Sequence, residues 1–333
     1  MNKDSILEVK NVHKRFTSKG ITVKAVTDVS FEVKPGETIG IVGESGCGKT
    51  TLGRCIVRAY KASEGEVFYR TRAGEEVDFL KVDKKKMKQI RKEIQMIFQD
   101  PYSSLDPRMT VLDIIKEPLK ANYPKMPKAE MDQKAKEMAE KVGLNPTYLM
   151  RYPHAFSGGQ RQRIGIARAL VVEPQIIVCD EAVSALDVSI QAQVINLLRD
   201  LQKELNLTYL FISHDLSVVE HISDKVGVMY LGRMVEFGNT ENLFEKPLHP
   251  YTEALLSAVP VADPTVQIER IPLKGEIPNP ANPPSGCFFH TRCQYCTEEC
   301  SQRTPEYREL EPGHFVACHR AEELKLRGFS YDK

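Results

Sequence analysis

The sequence carries almost no excess charge and no long apolar run, and each absence excludes a class of protein. Its 46 lysine and arginine residues nearly balance 45 aspartate and glutamate residues, which leaves a net charge of +1 over 333 residues. We therefore expect no surface-wide field that would gather nucleic acid or anionic lipid. No stretch approaches the roughly 20 apolar residues of a membrane span, and the N-terminus lacks the apolar segment of a signal peptide. These absences predict a soluble chain in the reducing cytosol, where thiols are not paired as disulfides.

What is present is an alternation of short apolar runs and helical segments. The hydrophobic share of 41% and the charged share of 27% are ordinary for a globular protein. The run from Thr38 to Val42 predicts a strand that leads through a glycine-rich loop into a helix, which is the opening unit of an α/β domain. Residues 106–170 have a helical pattern, and the apolar run Ile176–Asp180 is typical of a strand buried on both faces.

The glycine-rich loop "GESGCGKT" matches the phosphate-binding pattern G-x-x-x-x-G-K-[ST] between a strand and a helix. Glycines allow the backbone to aim successive N–H groups at phosphate oxygens, and the helix N-terminus adds its positive end. Lys49 is predicted to reach the β- and γ-phosphates, and Thr50 to ligate Mg²⁺. The ATP-binding residues predicted here are Gly43, Glu44, Ser45, Gly46, Cys47, Gly48, Lys49, Thr50 and Thr51.

The second half of such a site is predicted at the end of the buried run Ile176–Asp180, where two acidic residues stand next to each other. Asp180 is placed to hold Mg²⁺ through water, because a carboxylate at the end of a buried strand supplies the oxygen ligands that this cation prefers. Its neighbour Glu181 is placed to orient or deprotonate the attacking water.

Further short motifs resemble those of the ATP-binding cassette (ABC) ATPases, in the order of that family. "FSGGQRQR" resembles the signature motif, "MIFQDP" the Q-loop, "SALD" the D-loop and "FISHD" the switch-histidine segment. The resemblance implies that Gln99 senses the γ-phosphate and helps to hold Mg²⁺, and that His214 stabilises transition-state charge. It also implies that Phe16 lies under the adenine, and that Ser157, Gly158, Gly159 and Gln160 bind the nucleotide.

The ABC resemblance implies a fold and a partner. The expected fold is α/β: a P-loop NTPase cassette with a RecA-like core, an antiparallel β subdomain and a helical subdomain at about residues 100–170. The signature precedes a helix that begins near Gln160, which predicts a second anion-binding helix end. In the family this end serves the ATP of a partner cassette, so a second ABC subunit, identical or related, is implied.

Longer stretches resemble one branch, the ATP-binding subunits of bacterial dipeptide and oligopeptide importers. These stretches include "FQDPYSSLDPRMTV", "SALDVSIQAQVINLL" and "HPYTEALLSAVP". The resemblance implies ATP hydrolysis that powers peptide import, two membrane permeases, an extracytoplasmic binding protein, and a peripheral position on the cytoplasmic face of the membrane. Two alternatives stay open: import of another solute such as nickel or a sugar, or a soluble ABC-type ATPase acting on DNA. No sustained heptads separate the P-loop from the signature, which disfavours the DNA alternative.

The cysteines cluster near the end of the chain in "GCFFHTRCQYCTEEC", with Cys318 further on. Four thiolates can close either a tetrahedral Zn²⁺ site or a [4Fe–4S] cluster. The spacing of Cys293 and Cys296 alone favours zinc. The resemblance instead implies an iron–sulfur cluster held by Cys287, Cys293, Cys300 and Cys318. Cys296 has no assigned role, and free thiols without a metal stay open as a third possibility.

Prolines are dense between Ile271 and Gly286, which predicts an extended connector. We therefore predict two regions: a cassette at residues 1–238, and an extension at residues 239–333 that contains the connector and a small cysteine-rich module. A metal would supply folding energy to a module with so little core.

Overall fold

The computed structural model describes residues 1–100, 102–260 and 270–329. Its strands, in chain order, are β1 (Leu7–Ser18), β2 (Ile21–Val33), β3 (Thr38–Val42), β4 (Glu64–Arg70), β5 (Glu76–Asp78), β6 (Ile94–Ile97), β7 (Ile176–Asp180), β8 (Thr208–Ile212), β9 (Lys225–Tyr230), β10 (Arg233–Asn239), β11 (Arg308–Glu311) and β12 (His314–Val316). Its α-helices are α1 (Lys49–Ile56), α2 (Lys84–Ile90), α3 (Val111–Asn122), α4 (Lys128–Lys141), α5 (Gly158–Leu170), α6 (Val188–Leu205), α7 (Leu216–Ile222), α8 (Thr240–Glu245), α9 (Pro250–Leu256) and α10 (Glu298–Gln302).

The chain divides into two compact units, each made of several segments. Unit one comprises Met1–Glu8, Glu32–Glu37 and Phe68–Ile212. Unit two comprises Val9–Phe31, Thr38–Val67 and the described part of the chain after Ser213. None of the helices in the described residues is long and apolar enough to cross a membrane.

Unit one contains the parallel strands β6, β7 and β8, with β7 in the middle. All five residues of β7 and of β8 are buried, as expected for parallel strands covered on both faces. The helical pattern predicted for residues 106–170 is confirmed, because α3, α4 and α5 all lie within this range. In α6, Val194, Leu198 and Leu201 are buried on one stripe. That helix ends at Asn206, whose left-handed conformation is a common helix terminator.

Unit two contains a sheet in the order β3-β9-β10-β12-β11, in which β3 and β9 are parallel and the later pairs are antiparallel. The pairing of β10 with β12 aligns Glu236 with Val316 and Phe237 with Phe315. The C-terminal extension therefore contributes strands to the same sheet as β3, the strand that precedes the phosphate-binding loop.

A buried carboxylate fastens this part of the extension. Glu236 and His314 are both fully buried, and His314 Nε2 lies 2.8 Å from Glu236 Oε1. The carboxylate also accepts hydrogen bonds from the backbone N–H groups of Leu248 (2.7 Å) and His249 (3.0 Å). The Glu236 side chain thus links β10 to β12 and to the start of α9. Without it, these buried polar groups would lose their hydrogen-bond partner.

Candidate functional site

The phosphate-binding loop lies in unit two, between β3 and α1. Gly43, Gly46 and Gly48 have positive φ angles of 145°, 79° and 106°. A Cβ on Gly43 would lie 2.2 Å from the carbonyl oxygen of Met229, and one on Gly48 would lie 2.2 Å from that of Ala25. Backbone atoms of neighbouring segments lie against the loop at both positions and leave no room for a side chain, so only glycine fits there. A Cβ added at Gly46 would have no neighbour within 4 Å, so glycine is favoured there by its positive φ angle rather than by space.

Lys49 closes this cradle with a buried amino group. Its Nζ donates to the carbonyl oxygens of Gly43 (2.7 Å) and Glu44 (3.1 Å), and its side chain is 4% exposed. A cation beside the N-terminus of α1 is suited to an anionic ligand. Cys47 is buried within the loop, and burial raises the pKa of its thiol. The Cys47 carbonyl accepts from the N–H of Gly232 at 2.8 Å.

Phe16 is a half-exposed ring on β1, also in unit two. Its ring meets Tyr60 edge-on at 5.5 Å, and the ammonium of Lys14 lies 4.6 Å from its centroid. Arg54 of α1 donates to the hydroxyl of Tyr60 at 3.0 Å, which links this aromatic pair to the helix that starts in the loop. Because 39% of the Phe16 side chain is exposed, the ring has a face available for stacking on a base.

His214, the predicted switch histidine, is exposed at the start of the segment that leads into α7. The N–H of Ser213 donates to the carbonyl of Ile41 in β3 at 3.1 Å. Asp215 caps α7 by accepting from the N–H of Ser217 at 3.0 Å. Both neighbours of His214 are therefore anchored: Ser213 to β3, the strand before the phosphate-binding loop, and Asp215 to the start of α7.

The acidic pair and the Q-loop glutamine lie in unit one. Asp180 ends β7 with only 1% of its side chain exposed, and Glu181 follows in a left-handed conformation with φ 49°. The N–H of Glu181 donates to the carbonyl of Ile212 of β8 at 2.9 Å. Gln99 Nε2 donates to Glu181 Oε2 at 2.7 Å across 82 positions of sequence. The structure therefore brings together two residues that the sequence assigned to the hydrolytic step.

The signature segment begins α5 with a capping box. Ser157 Oγ accepts from the N–H of Gln160, and Gln160 Oε1 accepts from the N–H of Ser157. Phe156 is buried and anchors the segment, whereas Ser157 and Gln160 are exposed. A Cβ on Gly159 would lie 2.5 Å from Ile190 Cγ2 of α6, so any larger residue there would displace the Ile190 side chain. The helix N-terminus predicted as an anion site is therefore formed and faces the surface of unit one.

The cysteines of the extension converge in unit two. Cys287, Cys293, Cys300 and Cys318 line one small cavity of about 20 Å³, together with His290 and His319. Burial, and next the neighbouring thiols, raise the pKa of Cys287 to about 12, and burial likewise raises the pKa of Cys293 to about 11. Cys296 is exposed. Among the described residues, no group of three or more His, Cys, Asp or Glu side chains has the arrangement of a formed metal site.

Two contacts to the loop were not anticipated from the sequence. Arg292, in the cysteine segment, forms a bidentate pair with Glu44. The hydroxyl of Tyr251, at the start of α9, accepts from the N–H of Glu44 at 2.8 Å. No local motif signals either contact, because both partners lie more than 200 positions from the loop.

The comparisons with known proteins agree with this site. The ABC transporter family model matches residues 26–184, and a model described as the oligopeptide/dipeptide transporter C-terminal region matches residues 235–300. The chain is 55% identical to "Oligopeptide transport ATP-binding protein AppF" of Bacillus subtilis, over 96% of this chain and 98% of that protein. It is 52% identical to "Oligopeptide transport ATP-binding protein OppF" of Haemophilus influenzae, over 95% and 97%.

A solved structure supports the fold. The dimeric ATP-binding cassette MJ0796, in a post-hydrolysis state bound to ADP and Pi, is 29% identical and has a TM-score of 0.63. The match covers 70% of this chain and 98% of that one. Fold and site thus define an ATP-hydrolysing ABC cassette. The chain belongs to the ABC transporter family, in the branch of the oligopeptide transport ATP-binding proteins.

Proposed function

We propose that this chain is the ATP-hydrolysing subunit that powers import of dipeptides or oligopeptides through a membrane ABC transporter. The observation that carries the proposal is that relatives more than 50% identical over at least 95% of the chain are oligopeptide transport ATP-binding proteins. The likeness extends through residues 235–300, which match a model described as the oligopeptide/dipeptide transporter C-terminal region.

In the proposed mechanism, the N–H groups of Gly46 and Gly48 and the ammonium of Lys49 bind the β- and γ-phosphates of ATP. The proposed Mg²⁺ ligands are Thr50, Gln99 and Asp180, whose oxygen donors suit this hard cation. Mg²⁺, when bound, neutralises charge that develops on the phosphates. Glu181 orients and deprotonates the attacking water, and its hydrogen bond to Gln99 fixes the direction of its carboxylate. His214 stabilises charge on the transferred group.

A second cassette is proposed as the direct partner. The exposed start of α5 supports this proposal, because Ser157, Gly158, Gly159 and Gln160 present a helix N-terminus at the surface of unit one. One ATP molecule would contact the phosphate-binding loop of one subunit and the signature segment of the other. ATP binding would therefore drive the association of the two subunits. The partner is a second copy of this chain or a related subunit.

Two permeases are proposed to sit on unit one, which places the protein on the cytoplasmic face of the membrane as a peripheral subunit. Support comes from large apolar side chains exposed around the helices of that unit: Phe98, Tyr102, Tyr148, Met150 and Tyr152. Exposed aromatic side chains of this kind are enriched where proteins associate. An extracytoplasmic binding protein would deliver the peptide to the permeases.

We propose that Cys287, Cys293, Cys300 and Cys318 hold a [4Fe–4S] cluster, with Zn²⁺ as the alternative. The chemistry of the donor set fits such a group, because the four thiols line one cavity and thiolates are the ligands of both metals. The group would supply structural stability rather than chemistry at the nucleotide.

We further propose the division into a cassette, residues 1–238, and an extension, residues 239–333, of which 261–269 and 330–333 lie outside the described residues.

The test of transport is uptake by the complete transporter. Membranes that carry the cognate permeases and binding protein should accumulate labelled peptide only when ATP and this chain are present. Lys49→Ala should abolish both ATP binding and uptake, whereas Lys134→Ala, which removes an exposed amino group, should change neither. ATP-driven uptake of nickel or a sugar in place of peptide would overturn the substrate assignment, and stimulation of ATPase activity by DNA would favour the DNA-directed alternative.

A further inference from the structure

The phosphate-binding loop is held by a side chain that comes from the cysteine segment. Arg292 Nη1 lies 2.6 Å from Glu44 Oε2, and Nη2 lies 3.1 Å from Glu44 Oε1. The Arg292 side chain is 5% exposed, and the Glu44 side chain is 23% exposed. A bidentate guanidinium–carboxylate pair in such a place fixes both distance and direction, unlike the flexible ion pairs of an open surface.

The backbone of the same loop residue is held by the same region of the chain. The N–H of Glu44 donates to the hydroxyl of Tyr251, which is fully buried. The ring of Phe289 packs against Tyr230 and Tyr251, with centroids 5.3 Å apart in both cases. Phe289 lies two residues after Cys287, so an aromatic cluster connects the cysteine turn to the loop.

The cysteine turn also sets the position of Arg292 itself. The N–H of Arg292 donates to the carbonyl of Phe289 at 3.0 Å, and the N–H of His290 donates to that of Cys287 at 3.0 Å. Cys293 is the next residue along the chain. The backbone of Arg292 is therefore held by the same hydrogen-bonded turn that carries Cys287 and Cys293.

We propose that Arg292 is a positioning residue for the nucleotide site, and that it raises the affinity for ATP by holding Glu44 of the phosphate-binding loop in place. The inference rests on the proposed role of the loop in binding ATP. Phosphate affinity depends on how the loop N–H groups are aimed, and Glu44 lies between the first two glycines of that loop. Arg292 touches neither ATP nor the attacking water in this scheme, so it should act on binding rather than on the hydrolytic step.

The test has two parts. One measures equilibrium binding of a non-hydrolysable ATP analogue, and the other measures the KM and the kcat of ATP hydrolysis separately. Arg292→Met and Glu44→Gln should each weaken analogue binding about tenfold and raise KM similarly, with little change in kcat. The double variant should bind no more weakly than the weaker single variant, since the two side chains act as one unit. Arg292→Lys, which keeps the charge but not the fork, should fall between. Arg308→Met removes an exposed guanidinium from the same extension and should bind like wild type.

The outcomes separate this inference from the proposed function. If Lys49→Ala abolishes binding while Arg292→Met and Glu44→Gln bind within about twofold of wild type, the positioning role is wrong and the loop assignment stands. If Lys49→Ala still binds the analogue, the proposed function fails first. Should Arg292→Met not fold, as judged by circular dichroism, Glu44→Gln carries the test without altering the extension.

Discussion

Gln99 Nε2 donates a 2.7 Å hydrogen bond to Glu181 Oε2, which joins the segment after β6 to the segment after β7. A carboxylate that accepts this bond has one oxygen fixed and keeps lone pairs for a water molecule. The contact would orient the carboxylate of Glu181 for its proposed role as the general base.

Glu181→Gln should abolish steady-state ATP hydrolysis without preventing ATP binding. The amide cannot accept a proton, and loss of a general base costs about 10²- to 10⁴-fold in rate. Phosphate release at saturating ATP and analogue binding are the two measurements. Glu204→Gln makes the same substitution at an exposed residue of α6 and should hydrolyse ATP like wild type. Turnover within about tenfold of wild type in Glu181→Gln would reject Glu181 as the base.

The signature helix supplies the second prediction. Ser157→Arg should leave ATP binding to the loop intact but abolish ATP-driven association, because a bulky cation would occupy the exposed helix end. Loss of the cap also removes about 1 kcal/mol of stability, which thermal unfolding would register. The measurement is the molecular mass in solution of the Glu181→Gln protein, alone and with Ser157→Arg, in the presence of ATP and Mg²⁺.

Gln133→Arg adds the same side chain to exposed α4 and should permit association, which controls for added charge. If this chain pairs only with a related subunit, the experiment is run with that subunit present. A Ser157→Arg protein that still associates with ATP would contradict the sandwich arrangement.

The sequence predicted the parts of the site that local physics determines. The loop glycines and Lys49, one residue past the last of them, belong to one eight-residue pattern, and the start of the signature helix depends on the short segment around Ser157. The Arg292–Glu44 pair could not be predicted in this way, because its partners are 248 positions apart and each is an ordinary charged residue on its own. The same holds for the register of β12 on β10, which depends on packing around Glu236 rather than on any local pattern.

The cysteine prediction is tested by purification without oxygen. Protein that carries an iron–sulfur cluster should be brown and contain iron and sulfide, and Cys287→Ser or Cys300→Ser should be colourless. Cys296→Ser should keep the colour, because Cys296 is exposed and does not line the cavity of the other four. This variant is the matched control, since it makes the same change three residues from Cys293.

A colourless wild-type preparation containing one zinc per chain would reject the iron–sulfur cluster in favour of the alternative metal. A preparation without iron or zinc would reject both. Removal of the bound metal should lower the thermal unfolding temperature, because a metal that binds only the folded chain adds its binding free energy to stability.

Glu236 should be essential for attaching the extension to the sheet of unit two. Glu236→Ala leaves His314 and the N–H groups of Leu248 and His249 buried without their acceptor. Each buried polar group left without its hydrogen-bond partner costs about 1–3 kcal/mol, so the unfolding midpoint in urea should fall markedly. Glu322→Ala removes the exposed partner of Arg308 and should cost at most about 1 kcal/mol. If the two variants unfolded at the same urea concentration, the buried pair would have no special role. Hydrogen exchange should also locate the change, with β12 losing protection in Glu236→Ala while β7 and β8 keep theirs.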